Sequence, residues 1–295
     1  MEVPLTHVER VVFPDVGITK GEIIAYYREV ADVMLPELRG RPLTIERFTK
    51  TIEQGGFYQK HAQKHYPAWI ERVSLGSKTI VAYPLCDTRD ALVYFANQGG
   101  FVLHVWTSRR AAPQFPDLLV FDLDPPEGGF QLVSTAARHV RELLDELDLP
   151  AFVKTTGSKG LHVVAPLDPH ASFDSVGALG HAIAAVLCQR HPDTLTTEFY
   201  KKDRRGRLFL DTMRNAPGAT VVAPYSLRGR PGAPVSAPIE WAEVDDPALA
   251  ADGIRLRDVR ARLDSRGDPW RDLRAAPGSA DEAARRLAAL VSSPP

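Results

Sequence analysis

Behind the segment Thr19-Lys-Gly-Glu22, which has capping-box spacing, Ile23, Ile24, Tyr27, Val30, Met34, Leu35 and Leu38 recur at a period near 3.6. This predicts one amphipathic helix over about 20–38, ended by Gly40 and Pro42. Short runs of β character follow at 43–47, 56–59 and 79–83, then a capped helix from Asp87 to about Asn97 and a strand over 101–106. From about residue 117 the pattern sharpens into strand 118–123, helix 131–147, strands 151–155 and 161–165, helix 175–190 and strand 207–211. A β-α-β-β-α-β order of this kind predicts an α+β fold with a ferredoxin-like (RRM-like) sheet, which carries its site on the open face. The remainder, with Pro224, Pro231, Pro234 and Pro238, is loop-rich until helical segments near 254–263 and 280–292, and residues 275–280 read as a short linker.

Composition narrows the class. With 295 residues, 44% hydrophobic and 25% charged, the chain can bury a core and is neither disordered nor fibrous. No apolar run approaches the ~18 residues of a membrane helix, and the opening MEVPLTHVERVVF lacks a secretory pattern, so a cytoplasmic location without membrane contact is expected. Cys86 and Cys188 match no metal-ligand spacing and support no disulfide framework. The net charge of −1 conceals clusters of basic residues, notably around Arg39 to Lys50 and Lys201 to Arg207, so a locally basic face remains open to a polyanion.

Candidate chemistry starts at Asp122 and Asp124, which end the apolar strand LLVFDLD; a period of two puts both carboxylates on one face. Like charges that close need a shared proton or a cation, and hard divalent ions take such oxygen ligands together with substrate phosphates. Asp-Pro-Pro-Glu-Gly (124–128) is also ordinary turn chemistry, which would account for Asp124 alone. Between two strands, Thr156-Gly-Ser-Lys-Gly-Leu-His162 offers backbone amides, the Ser158 hydroxyl, the Lys159 charge and His162 to an anion; a plain hairpin turn with a structural histidine is the alternative. Asp211 ends a further strand after the basic run 201–207, and a third carboxylate on a neighbouring strand would complete a two-ion site for phosphoryl transfer. Arg228, in YSLRGR, can take a phosphate bidentately.

These residues lie in blocks that resemble a known family. RVVFPDVGITKGEIIAYY (10–27), FDLDPPEG (121–128), TTGSKGLHV (155–163) and LFLDTMRNAPGATVVAPYSLRGR (208–230) are similar, in the same order, to the polymerase domain of bacterial DNA ligase D, a branch of the archaeo-eukaryotic primase superfamily. The resemblance implies a template-dependent nucleotidyltransferase that fills gaps and extends 3′ ends in bacterial non-homologous end joining, preferring ribonucleotides and using two Mn2+ or Mg2+ ions with NTP or dNTP substrates. It implies that Asp122, Asp124 and Asp211 are the catalytic, metal-binding acids and that Thr156, Ser158, Lys159, His162, His104 and Arg228 bind the nucleotide. Arg10 and Lys20 would hold the 5′-phosphate across a gap, Phe57 and Tyr58 would stack on template bases, and Arg47 and Arg204 would belong to the DNA-binding surface. Arg214, within the same block as Asp211, is left without a role.

The expected organisation is a primase-polymerase domain over 1–270, made of a DNA-gripping N-terminal mixed α/β part (1–110) that wraps a primase-like catalytic core (111–245), and a C-terminal linker and short helix (271–295). Partners would be DNA with gaps or broken ends, a ligase and a Ku-like end-binding protein at the nucleoid. Two other classes stay open: a metal-dependent nucleotide-sugar transferase using the D-x-D, and a non-catalytic DNA-end-binding module.

Overall fold

A computed structural model describes residues 3–76, 79–125 and 129–292. Its strands are β1 (Val11–Phe13), β2 (Ile18–Thr19), β3 (Leu43–Arg47), β4 (Phe57–Gln59), β5 (Arg72–Leu75), β6 (Val81–Pro84), β7 (Gly100–Trp106), β8 (Leu118–Asp124), β9 (Phe152–Thr155), β10 (Leu161–Pro166), β11 (Leu195–Thr196), β12 (Leu208–Asp211), β13 (Thr220–Val222) and β14 (Pro238–Ile239). The helices are α1 (Lys20–Glu29), α2 (Ala31–Leu38), α3 (Arg89–Asn97), α4 (Phe130–Glu146), α5 (Phe173–Arg190), α6 (Val259–Arg266) and α7 (Ala280–Ser292). The turn expected at Pro126-Glu127-Gly128 lies outside the described residues.

The chain forms two compact units, neither of them continuous in sequence. One comprises residues up to Ala111 with Thr220–Ala237 and Asp252–Asp268; the other comprises Ala112–Ala219, Pro238–Ala251 and the residues from Pro269 on.

The second unit contains the expected α+β sheet. Its strand order is β11-β12-β8-β10-β9-β14, and within it β12-β8-β10-β9 is antiparallel throughout, with α4 and α5 as the crossovers of a split βαβ. Helix α4 buries Val133, Ala136, Ala137, Val140, Leu143 and Leu144, and α5 buries Val176, Leu179, Gly180, Ile183, Ala184 and Leu187, each at the i, i+3, i+4, i+7 spacing of an apolar stripe. Leu119, Phe121 and Leu123 of β8 alternate on the sheet and are fully buried; burial of each contributes about 1.5–3 kcal/mol. A Cβ at Gly180 of α5 would stand 3.2 Å from the Leu119 Cδ1, so the helix lies close on this face of the sheet.

Strand β12 ends at Asp211, opposite Asp122, so it offers β8 no backbone partner at Val120. The side-chain amide of Asn215 replaces one: it donates to the Val120 carbonyl (2.8 Å) and to the Thr212 carbonyl (2.9 Å), and its Oδ1 accepts from the Val120 amide (2.8 Å). Asn215 is thereby buried, and the short 3-10 turn Met213–Asn215 is fixed beside the end of the strand.

The first unit has a four-stranded sheet, β13-β7-β3-β4, and two hairpins, β1-β2 and β5-β6. The capping box at Thr19 and Glu22 forms as the spacing predicts. The expected single helix over 20–38 is instead two, α1 and α2, because the backbone at Val30 relaxes to ψ 0 and caps both. The stretch 275–280, expected as a linker, is tied to the sheet unit: the Gly278 amide donates to the Pro166 carbonyl and the Gly278 carbonyl accepts from Asp168, both at 2.9 Å. The helix expected near 254–263 begins later, at Val259, after a 3-10 turn over Leu256–Asp258.

Asn215→Ala should lower stability by about 2–3 kcal/mol, because it strands the buried amide and carbonyl of Val120. Thermal unfolding of the two proteins measures this, and a melting point equal to that of the parent would show that the amide is dispensable.

Candidate active site

Strand register puts the expected acids on one face of the sheet. In the β12-β8 pair Asp211 stands opposite Asp122, in the β8-β10 pair Asp122 stands opposite His162, and in the β9-β10 pair His162 stands opposite Lys154. Directly opposed residues of antiparallel strands share a face, so Asp211, Asp122, His162 and Lys154 form one row across four strands. Asp124 lies two residues along from Asp122 on the same face, opposite Phe209.

The row runs from half-buried to fully buried. Asp122 is 7% exposed, His162 4% and Lys154 1%. Both oxygens of Asp122 are engaged: Oδ1 lies 3.2 Å from His162 Nε2, and Oδ2 accepts from Arg214 Nε at 3.1 Å. Burial alone would raise the Asp122 pKa, but His162 and Arg214 outweigh it and hold the carboxyl well below the usual range. Burial, helped by the charge of Lys154, brings His162 down to about 4 against the pull of Asp122. The imidazole is therefore neutral at pH 7, with its Nε2–H assigned to Asp122 by that contact, and its buried Nδ1 has no hydrogen-bond partner among the described residues.

The other two carboxyls move the opposite way. Burial and then the charge of Asp122 raise Asp124, with Lys159 and Arg214 opposing. Burial raises Asp211 as well, although its Oδ1 accepts from the Met213 amide at 2.8 Å. Carboxylates that repel one another in a partly desolvated place are the donor set that suits a hard divalent cation. As the side chains stand, no group of three His, Cys, Asp or Glu among the described residues is gathered to hold a metal, and Asp122 faces the guanidinium of Arg214 instead.

The Thr156–Gly160 loop joins β9 to β10. The Thr156 amide and Oγ1 donate to the Gly160 carbonyl, both at 3.0 Å, and the Gly160 amide donates to Thr156 Oγ1 at 3.2 Å. A Cβ at Gly160 would fall 1.8 Å from the Leu123 carbonyl oxygen and 3.1 Å from Asp124 Oδ1, so only glycine lets the loop lie against the acidic end of β8. Ser158 is half-buried and Lys159 exposed at the tip. Arg204 is within electrostatic range of Asp211; it donates to the carbonyls of Glu198 and Phe199 and lies 4.3 Å over the Phe209 ring.

The remaining candidates belong to the first unit. Phe57 and Tyr58 of β4 are 49% and 61% exposed, high for aromatic side chains on a strand. Tyr58 meets His104 of β7 edge to face at 5.8 Å, while Arg47 caps the Phe57 ring at 5.8 Å and donates to Gln98 and Gln59. Glu46, between these strands, is raised by burial, with Arg228 and Arg230 opposing, which places both arginines near this face. Lys20 is buried, donates to Thr6 Oγ1 at 3.1 Å, and is lowered by burial and by neighbouring Arg10. Two cations held close in a desolvated place are what an anion would relieve.

Sequence reasoning missed Lys154, Asn215 and the place of Arg214. Lys154 had a signal: a hairpin centred on Ser158 pairs position 154 with 162. The Asn215 and Arg214 contacts depend on where β12 stops, which spacing alone does not reveal.

The family model "LigD, primase-polymerase domain" matches residues 19–270. The multifunctional non-homologous end joining protein LigD of Mycolicibacterium smegmatis is 37% identical over 270 residues, covering 90% of this chain and 35% of that protein. The bifunctional LigD of Bacillus subtilis is 30% identical over 272 residues, covering 90% of this chain and 43% of its own length. The chain thus spans well under half the length of these curated relatives. Among solved structures, the polymerase domain of Mycobacterium tuberculosis ligase D in complex with DNA superposes with a TM-score of 0.89 at 36% identity, covering 94% of this chain and 99% of that one. With a sheet of the expected topology and a family match over most of its length, the chain belongs to the LigD primase-polymerase domain family and is a nucleotidyltransferase.

Proposed function

We propose that this protein extends DNA 3′ ends in a template-dependent manner, filling gaps and acting at double-strand breaks in bacterial end joining, with a preference for ribonucleotides. The observation that carries the reading is the row of Asp211, Asp122 and His162 across adjacent strands, with Asp124 beside it. Asp122, Asp124 and Asp211 would hold divalent cations, Mn2+ or Mg2+, on this face. Such ions, when bound, supply Lewis acidity: they lower the pKa of an attacking hydroxyl and neutralise charge on the transferring phosphoryl group.

The chain itself supplies positioning, which is most of what phosphoryl transfer asks of a protein. Asp122 stays ionised because His162 and Arg214 bond it, so it can act as a fixed anion at any pH of use. The Thr156–Gly160 loop, closed by Thr156 and pressed onto β8, presents Ser158 and Lys159 to a triphosphate. To His104 and Arg228 we assign further contacts with the nucleotide. Lys20 and Arg10 suit the 5′-phosphate on the far side of a gap, since a doubly charged anion offsets their mutual repulsion. Phe57 and Tyr58 are placed to stack on template bases, at about 1–3 kcal/mol per base, and Arg47 and Arg204 to meet the DNA backbone. In this role the chain works with a ligase and a Ku-like end-binding protein.

Asp122→Ala should abolish primer extension on a gapped duplex while DNA affinity, read by fluorescence anisotropy, stays within about 2-fold; retained extension would refute the assignment. Lys20→Ala should reduce the preference for a 5′-phosphorylated gap over a 5′-hydroxyl one and shrink the salt slope of binding by about 0.7–0.9. An unchanged preference would remove Lys20 from the phosphate site.

A further inference from the structure

Arg214 is a cation placed among the three carboxylates. Its Nε donates to Asp122 Oδ2 at 3.1 Å, and its charge opposes the upward shifts of Asp124 and Asp211. Its backbone belongs to the turn Met213–Asn215, which Asn215 pins to Val120 of β8. The side chain beyond that fixed point is 44% exposed, whereas the Asp122 side chain it meets is 10% exposed.

With Oδ1 of Asp122 on His162 and Oδ2 on Arg214, a divalent ion that approaches this carboxylate must compete with one of them. His162 is buried on its strand, with no open solvent to turn into. Arg214 can, because a half-exposed arginine has several rotatable bonds and open water to turn into. Two cations on one carboxylate repel, so occupancy by metal and by guanidinium should exclude each other.

We infer that Arg214 is a resident counter-cation: it occupies the cation position on Asp122 in the metal-free protein and gives it up, by swinging into solvent, when a divalent ion binds. This rests on the assignment of Asp122, Asp124 and Asp211 as metal-binding acids. Two consequences follow from charge alone. Asp122 keeps a cationic partner without metal, and metal binds less tightly than three bare carboxylates would allow.

The test is Mn2+ binding without nucleotide or DNA, followed by titration calorimetry and by the loss of free Mn2+ signal in electron paramagnetic resonance. Arg214→Gln should tighten Mn2+ binding by about 5-fold, a modest factor because the displaced contact is half-exposed. Arg214→Lys, which keeps the charge, should stay within about 2-fold of the parent protein. The metal-free Arg214→Gln protein should melt lower than the parent, and saturating Mn2+ should raise its melting point by more. Equal or weaker Mn2+ binding by Arg214→Gln, with Asp124→Asn losing the site, would overturn the counter-cation role and leave the metal assignment standing. Tightening by Arg214→Lys as large as by Arg214→Gln would overturn it too. No saturable Mn2+ binding by either the parent or Arg214→Gln would overturn the metal assignment and this inference together.

Discussion

Hydrogen-bonded register along β12-β8-β10-β9 is the constraint on which the site depends. Because opposed residues on antiparallel strands share a face, one choice of register aligns Asp211, Asp122, His162 and Lys154, which are far apart along the chain. A slip of one residue in any of these pairs would send a member to the face covered by α4 and α5, where Leu119, Phe121 and Leu123 now lie. The apolar face therefore fixes the polar one: burial of those side chains against the helices decides the register, and the register decides which charges meet.

The charges would be costly if they were not paired. An isolated ion in a nearly buried place loses its hydration, and the structure answers with close partners for Asp122 and with a neutral imidazole at His162. Asp124 and Asp211, nearer the solvent, are left with repulsion that a cation relieves. Along the row the charges thus run from buried and paired at Asp122 to less buried and mutually repelling at Asp124 and Asp211.

Much of this was legible in the sequence, for physical reasons that differ by element. Strand β8 and helices α4 and α5 carry long periodic apolar patterns, and they fold where those patterns place them. The D-x-D at 122–124 and the Thr156–Gly160 loop could be read as a possible site from period and turn chemistry, but only the family resemblance separated them from plain turns. Strands β1, β2, β11, β13 and β14 are two or three residues long and show no periodicity to read. The return of Thr220–Ala237 and Asp252–Asp268 to the first unit was equally invisible, because contacts between distant segments leave no local signal. The side chain of Asn215 acts as a piece of strand, a role that composition cannot announce.

The central claim, that Asp122, Asp124 and Asp211 act together as one cation site, is tested most directly by crystals of the protein soaked in Mn2+ and measured at the manganese absorption edge. Anomalous peaks are expected within coordinating distance, about 2.0–2.6 Å, of carboxylate oxygens from these three residues. Anomalous peaks confined to other residues, in crystals of protein that extends primers, would contradict it.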